Sequence, residues 1–189
     1  MRIALYFGSF NPIHIGHMII ANIILHESEV DEVWFVVSPH NPLKELNTLL
    51  DEHLRVELVQ RAIADEKGFK LCTVELDLPR PSYTIQTMDY LKNRYPNYQF
   101  KIVLGGDSLQ SIDKWKSYER LLAENEFIIY NRPGFEVDKN LKARITILNA
   151  PLLSISSTRI RERIKLGKTI RYLVPESVYQ DIMEKKFYL

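Results

Sequence analysis

Two histidines lie three residues apart in the segment GSFNPIHIGH, which follows the first apolar run of the chain. They are His14 and His17, and Gly16 precedes the second of them where a helix is predicted to begin. The start of a helix offers free N–H groups and a positive dipole end, and side chains three residues apart there can face one ligand, so the pattern suits a phosphate. Gly8 has no Cβ, which lets a ligand approach the backbone closely. The same residues are also compatible with a pair of capping or core histidines.

A metal site is a third interpretation of the histidine pair, His14 and His17. Zinc in proteins is normally held by three or four side chains. The remaining imidazole and thiol groups, at His26, His40, His53 and Cys72, have no ligand-like spacing. An anion site is therefore favoured over a metal site, and no metal-ligating residues are predicted.

A second group of polar residues lies near the end of the chain, in the segment ISSTRIR at 155–161. Three hydroxyl residues open a predicted helix, and Arg161 follows Thr158 by about one turn. A helix N-terminus that carries an arginine is a natural clamp for a polyphosphate. Taken alone, the segment favours a capped helix with a solvated basic face, and the anion interpretation gains only beside the first motif.

Gly105, Gly106 and Asp107 follow the fourth predicted strand. The glycines let a ligand lie close, and the carboxylate of Asp107 can accept hydrogen bonds from ribose hydroxyls; the alternative is an aspartate that caps a helix. The chain has no G-x-G-x-x-G after its first strand and no G-x-x-x-x-G-K-[ST]. A dinucleotide oxidoreductase and a P-loop enzyme are therefore not favoured.

Short apolar runs alternate with helical patterns along the whole chain. Near-continuous apolar strands are typical of a parallel sheet covered on both faces, and the β-α alternation predicts an open, doubly wound α/β sheet in a single domain, 1–189. Ligands bind beyond the carboxyl ends of the strands in such sheets, where the polar segments lie. The predicted strands are 2–7, 33–37, 70–75, 100–104, 126–130 and 145–148, and the predicted helices are 16–27, 51–64, 83–94, 118–123, 157–166 and 176–186.

Bulk composition excludes several classes of protein. The chain has 46% hydrophobic and 26% charged residues and a formal net charge of +1, which gives no reason to expect a nucleic acid or a membrane as a partner. No apolar stretch approaches the roughly 20 residues that span a bilayer. The one cysteine, Cys72, lies in an apolar run and is expected in the core. A cytoplasmic protein is expected.

Two of these segments together resemble the signatures of the nucleotidylyltransferase superfamily. GSFNPIHIGH is similar to its G-G-x-F-D-P-x-H-x-G-H signature and ISSTRIR to its I-S-S-T-x-I-R signature, in the same order along the chain. The segments PSYTIQT (81–87), GGDSLQSIDKW (105–115) and NRPGF (131–135) resemble those of bacterial nicotinate-nucleotide adenylyltransferases. The literal letters HIGH also resemble class I aminoacyl-tRNA synthetases, but the chain is too short for such an enzyme.

The resemblance implies a Rossmann-like fold and the transfer of AMP from ATP to nicotinate mononucleotide, with Mg²⁺ on the phosphates. The products are nicotinate adenine dinucleotide and pyrophosphate. The resemblance also implies that the pyridine ring stacks on Trp115 and that backbone N–H groups near Thr84 favour a ring carboxylate over an amide. The residues implied are His14, His17, Lys44 and Arg161 as catalytic residues; Gly8, Ser9, Phe10, Gly105, Asp107, Ser157 and Thr158 for ATP; and Ser82, Tyr83, Thr84 and Trp115 for nicotinate mononucleotide.

The chain departs from the family pattern at three places. Asn11 stands where aspartate is commoner, His40 is displaced relative to Lys44, and Lys116 follows Trp115 where an aromatic residue is frequent. Nicotinamide mononucleotide and phosphopantetheine remain alternative acceptors, although the PSYT segment and Trp115 argue against them. A non-catalytic nucleotide-binding regulator is the alternative from another class, and the oligomeric state stays open.

Overall fold

The computed structural model of the protein describes residues 1–39, 49–130, 143–151 and 154–189. These residues form one six-stranded sheet in which all pairings are parallel. The strands are β1 (Arg2–Gly8), β2 (Glu32–Val37), β3 (Phe69–Cys72), β4 (Gln99–Gly105), β5 (Glu126–Tyr130) and β6 (Arg144–Leu148), in the order β3-β2-β1-β4-β5-β6. The helices are α1 (Ile15–Glu27), α2 (Glu52–Ala62), α3 (Val74–Asp77), α4 (Thr84–Arg94), α5 (Gly106–Gln110), α6 (Tyr118–Glu124), α7 (Ser157–Lys165) and α8 (Glu176–Glu184), with a 3-10 turn at Ile112–Lys114.

The central strand β1 sets the position of the crevice. It pairs with β2 on one side and with β4 on the other. The chain adds β2 and β3 in one direction and then β4, β5 and β6 in the other, so the strand order reverses between β1 and β4. In a doubly wound sheet this reversal opens a crevice at the carboxyl ends of the strands. Gly8 and Gly105 end these two strands and therefore both lie at this edge.

Both faces of the sheet are covered by helices, which confirms the predicted doubly wound α/β fold. Ala4 and Tyr6 of β1 belong to a first apolar cluster, which also contains buried residues of α1, α2, α7 and α8. Ile3 and Leu5 belong to a second cluster, with buried residues of α4, α5 and α6. Burial on both faces explains why the strands are near-continuous apolar runs in the sequence.

The third strand is shorter than predicted, and this is the main correction to the predicted elements. The prediction runs over 70–75, whereas β3 ends at Cys72 and a short helix, α3, begins at Val74. The helical turn directs the carboxylate of Glu75 toward buried hydroxyl groups instead of extending the strand. The other predicted elements end within two residues of the observed ones, while α3, α5 and the 3-10 turn have no counterpart in the prediction.

Cys72 is a buried residue, as predicted. Its exposed fraction is 7%, and burial raises the pKa of the thiol to about 11. The thiol therefore stays protonated at neutral pH, which fits a core residue and not a nucleophile.

Arg55 of α2 is fully buried and holds three segments of the chain together. Its Nη1 donates to the carbonyl oxygens of Ser9, at 2.6 Å, and Ser38, at 2.8 Å. Its Nη2 donates to the carbonyl oxygen of Pro39 at 2.8 Å and its Nε to that of Leu50 at 2.9 Å. The guanidinium thus fixes the residues that follow β1, those that follow β2, and Leu50, which lies two residues before α2.

Glu75 is the buried carboxylate of the second face, with an exposed fraction of 3%. It accepts hydrogen bonds from Thr87 Oγ1 at 2.8 Å and from Ser82 Oγ at 3.2 Å, and the Ser38 hydroxyl also bonds to it. Burial raises the pKa of the carboxyl above its ordinary value of 4.5, and the three hydrogen bonds offset only part of this effect. Glu75 therefore ties the end of β2 to the segment before α4.

We expect Arg55→Met to lower the free energy of unfolding by about 3–5 kcal/mol, because it leaves buried carbonyl oxygens without donors. Urea unfolding followed by circular dichroism measures the loss. Gln60→Met, at an exposed position of the same helix, is the control and should change stability by less than about 0.5 kcal/mol. Equal stability of the two variants would contradict the role given to Arg55.

The raised pKa of Glu75 predicts a specific pH dependence of stability. In the unfolded chain the carboxyl ionises near its ordinary pKa of 4.5, whereas the folded protein keeps the proton to higher pH. The folded state then binds more protons, so the stability of the wild type should fall relative to Glu75→Gln as pH rises from 4.5 through the folded pKa. Unfolding free energies of both proteins from pH 4.5 to 8 test this. All other titrating groups are shared, so a constant difference would show that the pKa of Glu75 is not raised.

Candidate active site

The GSFNP loop, residues 8–12, leaves β1 at the crevice. Phe10 has a positive φ of 45° and is 2% exposed. Its ring lies over Gly8, where a Cβ atom would come within 2.8–3.1 Å of three ring atoms. The space on the Cβ side of Gly8 is therefore filled by the Phe10 ring, and the absence of a Cβ atom makes room for that ring. Gly8 is required here because any larger residue would displace that ring.

The histidine pair begins α1. His14 is the residue that precedes the helix and is 5% exposed, whereas His17 is half-buried. Their rings are stacked, with centroids 3.6 Å apart and an interplanar angle of 19°. The backbone N–H of His14 donates to His17 Nδ1 at 3.2 Å, and the Phe10 ring meets the His17 ring edge to face at 5.1 Å. Because Nδ1 accepts a hydrogen bond, Nε2 of the neutral ring carries the proton and is a donor held in a fixed direction.

Helix α7 contacts the GSFNP loop directly, although the two lie far apart in the sequence. Ser157 Oγ donates to the carbonyl oxygen of Pro12 at 2.9 Å, and Arg161 Nη1 donates to that of Asn11 at 2.8 Å. The other terminal nitrogen of Arg161 donates to Thr158 Oγ1 at 3.3 Å. These contacts bring the two sequence signatures together, so that hydroxyl, guanidinium and imidazole groups converge on one end of the sheet.

The substitution of Asn11 for the commoner aspartate is accommodated by its surroundings. Asn11 is 4% exposed, and its Oδ1 accepts a hydrogen bond from the backbone N–H of Leu50 at 3.1 Å. A carboxylate oxygen could accept the same bond. The side chain anchors the loop that precedes α2, and both residue types can do this.

A carboxylate, that of Asp107, follows the end of β4 in the first turn of α5. A Cβ atom at Gly105 would lie 2.5 Å from Asp107 Oδ1 and 3.0 Å from the hydroxyl of Tyr130. Gly105 itself precedes α5, and Asp107 is exposed in the first turn of that helix. The alternative in which Asp107 is the N-cap is therefore not what the structure has. The carboxylate is accessible to a ligand.

The residues predicted to bind the acceptor lie on the face of the sheet that the second apolar cluster covers. Tyr83 precedes α4, Thr84 begins it, and Trp115 follows the 3-10 turn; Tyr83 and Trp115 both pack against the second cluster. Lys116 Nζ lies 4.4 Å from the centroid of the Tyr83 ring, which joins the two segments. Ser82 is 6% exposed, and its hydroxyl donates to Glu75 Oε2 at 3.2 Å.

The candidate residues therefore form two groups on opposite sides of the crevice. The histidine pair and α7 lie on the side of the first cluster, and Tyr83 and Trp115 on the side of the second. Lys44 and His40 lie outside the described residues. Among the residues that are described, no group of three or more His, Cys, Asp or Glu could hold a metal ion, and no helix is long and apolar enough to cross a membrane.

Two residues that anchor the loops of the site, and a buried tyrosine near them, are absent from the sequence prediction. Arg55 and Glu75 anchor the loops from opposite faces. Tyr188 has a buried hydroxyl near the guanidinium groups of Arg55 and Arg161, and burial raises its pKa above the ordinary value of a tyrosine. Only Arg55 has a sequence signal, because it falls within the apolar stripe of α2.

Comparison with known proteins assigns the family. Residues 5–163 match the cytidylyltransferase-like family. A protein of Flavobacterium psychrophilum named "probable nicotinate-nucleotide adenylyltransferase" is 44% identical over 191 residues, covering 100% of this chain and 99% of its own. A protein of Bacteroides fragilis with the same name is 43% identical over 185 residues, covering 97% and 92% of the two chains.

Solved structures agree with this assignment. Nicotinic acid mononucleotide adenylyltransferase of Plasmodium falciparum complexed with NaAD superposes with a TM-score of 0.83 at 26% identity, covering 99% of this chain and 97% of that one. The structure of the same protein complexed with APC gives a TM-score of 0.82 at 25% identity, covering 99% and 96%. By sequence and by fold, the chain belongs to the cytidylyltransferase-like family and, within it, to the nicotinate-nucleotide adenylyltransferases.

Proposed function

We propose that the chain, as one domain of residues 1–189, transfers AMP from ATP to nicotinate mononucleotide, forming nicotinate adenine dinucleotide and pyrophosphate. The observation that carries this proposal is the contact between the two signatures, in which Ser157 and Arg161 bond to Pro12 and Asn11 beside the histidine pair. The names of the relatives support the acceptor. The cytoplasm is the proposed location.

The reaction needs positioning and charge stabilisation more than proton transfer. A phosphate oxygen of the mononucleotide, which is ionised at neutral pH, attacks the α-phosphorus of ATP. The new P–O bond forms as the bond between the α- and β-phosphates breaks, and pyrophosphate leaves with the electron pair. No general base is required, so catalysis rests on in-line geometry and on donors aimed at the charged oxygens.

On the ATP side, His17 is the best-placed donor. Its Nε2–H is fixed by the hydrogen bond to Nδ1 and by the packing of the His14 and Phe10 rings, and the residue is partly exposed. We assign it to the α-phosphate, with His14 as the residue that positions it. A donor held in place before the reaction costs no reorganisation in the transition state.

The departing pyrophosphate is assigned to α7 and to Lys44. The first N–H groups of α7, the hydroxyl of Thr158 and the guanidinium of Arg161 lie at one helix N-terminus, where anions are favoured. Ser157 contributes through the bond that holds Pro12. We assign the backbone of Gly8, Ser9 and Phe10 and the exposed carboxylate of Asp107, beside Gly105, to the nucleoside part of ATP.

Mg²⁺ neutralises phosphate charge when it is bound with ATP. The cation prefers oxygen ligands and keeps several waters, and the described residues offer no cage of three carboxylates or imidazoles. The hydroxyl and imidazole donors of the site fit phosphate oxygens. We therefore propose that the phosphates and water hold the cation, while the protein holds the phosphates.

On the acceptor side, we assign the pyridine ring to the face of Trp115 and to Tyr83. Both are partly exposed aromatic side chains anchored on the second cluster. Thr84 begins α4, so its backbone N–H can reach an anionic ring substituent. Ser82 supports this segment through Glu75.

We expect His17→Ala to lower kcat by about 10²–10³ and to leave the fold intact, because one preorganised donor is lost. Steady-state pyrophosphate release with saturating ATP and nicotinate mononucleotide measures the effect. His26→Ala, at an exposed position of the same helix, is the matched control and should be as active as the wild type. Wild-type turnover of a folded His17→Ala protein would remove the histidine from the mechanism.

The proposed activity itself is tested by pyrophosphate release from ATP with nicotinate mononucleotide, nicotinamide mononucleotide and phosphopantetheine supplied in turn. Release should be fastest with nicotinate mononucleotide, since the acceptor side carries aromatic and cationic groups. Faster release with another acceptor would reassign the substrate. No release with any acceptor would favour a nucleotide-binding regulator.

A further inference from the structure

The ammonium group of Lys116 is held over the ring of Tyr83, with Nζ 4.4 Å from the ring centroid. Attraction between a cation and an aromatic face restricts a side chain that is otherwise flexible. Lys116 is exposed and forms no ion pair with any part of the chain that the structure describes. Its charge is therefore positioned but not neutralised, and it remains available to an anion.

The position of this charge is defined by two segments of the proposed acceptor side. Lys116 directly follows Trp115, and Tyr83 directly precedes α4. Both aromatic residues pack against the second cluster, so the ammonium lies beside the surfaces to which the pyridine ring is assigned. An anion at Lys116 would also lie near the first turn of α4, whose dipole adds to the attraction.

The acceptor has two anionic groups, the phosphate and the ring carboxylate, and the layout of the site separates them. The phosphate must meet the α-phosphorus of ATP on the side of the histidine pair, which packs with Phe10 and Tyr6 of the first cluster. Lys116 belongs to the opposite side. The group that faces Lys116 is therefore the ring carboxylate.

We propose that Lys116 is a specificity-determining residue: its ammonium contacts the carboxylate of the pyridine ring and makes the enzyme prefer nicotinate mononucleotide to nicotinamide mononucleotide. This inference rests on the proposed function. Backbone N–H groups at the start of α4 also favour the carboxylate, because a hydrogen bond to an ionised oxygen is stronger than one to an amide oxygen. The ammonium of Lys116 adds a full positive charge to this preference. A positive charge distinguishes the two rings, since only the acid is charged.

The test compares kcat and KM for both acceptors in the wild type, Lys116→Met, Lys116→Arg and Lys114→Met. Lys116→Met should raise KM for nicotinate mononucleotide about tenfold, the size expected for one charge-assisted contact at an open site, with kcat little changed. The kinetic constants for nicotinamide mononucleotide should stay as in the wild type. Lys116→Arg should keep the preference. Lys114→Met removes a neighbouring exposed lysine as the control and should change neither acceptor.

Two kinetic outcomes would overturn the proposal. Equal losses with both acceptors would mean that Lys116 only packs against Tyr83, and unchanged constants for both would mean that it is a solvated surface residue. Thermal unfolding of each variant checks that the fold is kept.

Failure of the proposed function is distinguished by a binding measurement. If the wild type released pyrophosphate with neither acceptor, the activity would be wrong. Calorimetric titration of nicotinate and nicotinamide mononucleotide, with a non-hydrolysable ATP analogue present, would then decide the role of Lys116. Weaker binding of the acid alone in Lys116→Met supports the proposal, and equal affinity of wild type and variant for the acid overturns it.

Discussion

The hydrogen bonds of Arg55 to backbone carbonyls are the constraint on which the site depends. A fully buried guanidinium loses its hydration, and burial lowers its pKa. Carbonyl oxygens of the loops at the crevice replace the water, so the cost of burial is recovered only when Ser9, Ser38, Pro39 and Leu50 are all in place. The loops after β1 and β2 are consequently coupled. A displaced loop would leave a buried charge unsatisfied.

This coupling continues across the sheet. The carbonyl oxygen of Ser38 accepts a hydrogen bond from Arg55 on one face, and its hydroxyl donates to Glu75 on the other. The N–H of Ser38 donates to the carbonyl oxygen of Gly8 at 2.9 Å. Glu75 in turn holds Ser82, next to Tyr83. A continuous set of hydrogen bonds therefore runs from the GSFNP loop to the proposed acceptor segment. The two sides of the crevice are positioned relative to each other by buried polar groups at the strand ends.

The sequence predicted the sheet because both faces of each strand are apolar, a pattern that depends only on local composition. It also placed the histidine pair and α7 at one site, since recognised signatures carry long-range information that periodicity lacks. It could not predict that Phe10 fills the space beside Gly8, or that Ser82 points to Glu75, because both follow from contacts between segments. The burial of Arg55 does have a signal in the sequence. Arg55 lies on the same face of α2 as Leu58 and Val59, and an arginine on a buried face must have hydrogen-bond partners.

The buried polar groups matter for catalysis because the nucleophile of the reaction is already ionised. Without proton transfer to a base, rate enhancement comes from donors that keep their direction as charge moves onto the leaving pyrophosphate. Surface side chains cannot keep such directions, because water competes for them and their rotamers are free. His17 avoids both problems through its bond from the His14 N–H and its packing against Phe10, whose backbone follows the Ser9 carbonyl that Arg55 holds. The donor that we propose, His17, is thus linked to the buried guanidinium through Phe10 and Ser9. The same buried hydrogen bonds that stabilise the fold therefore also position the proposed site.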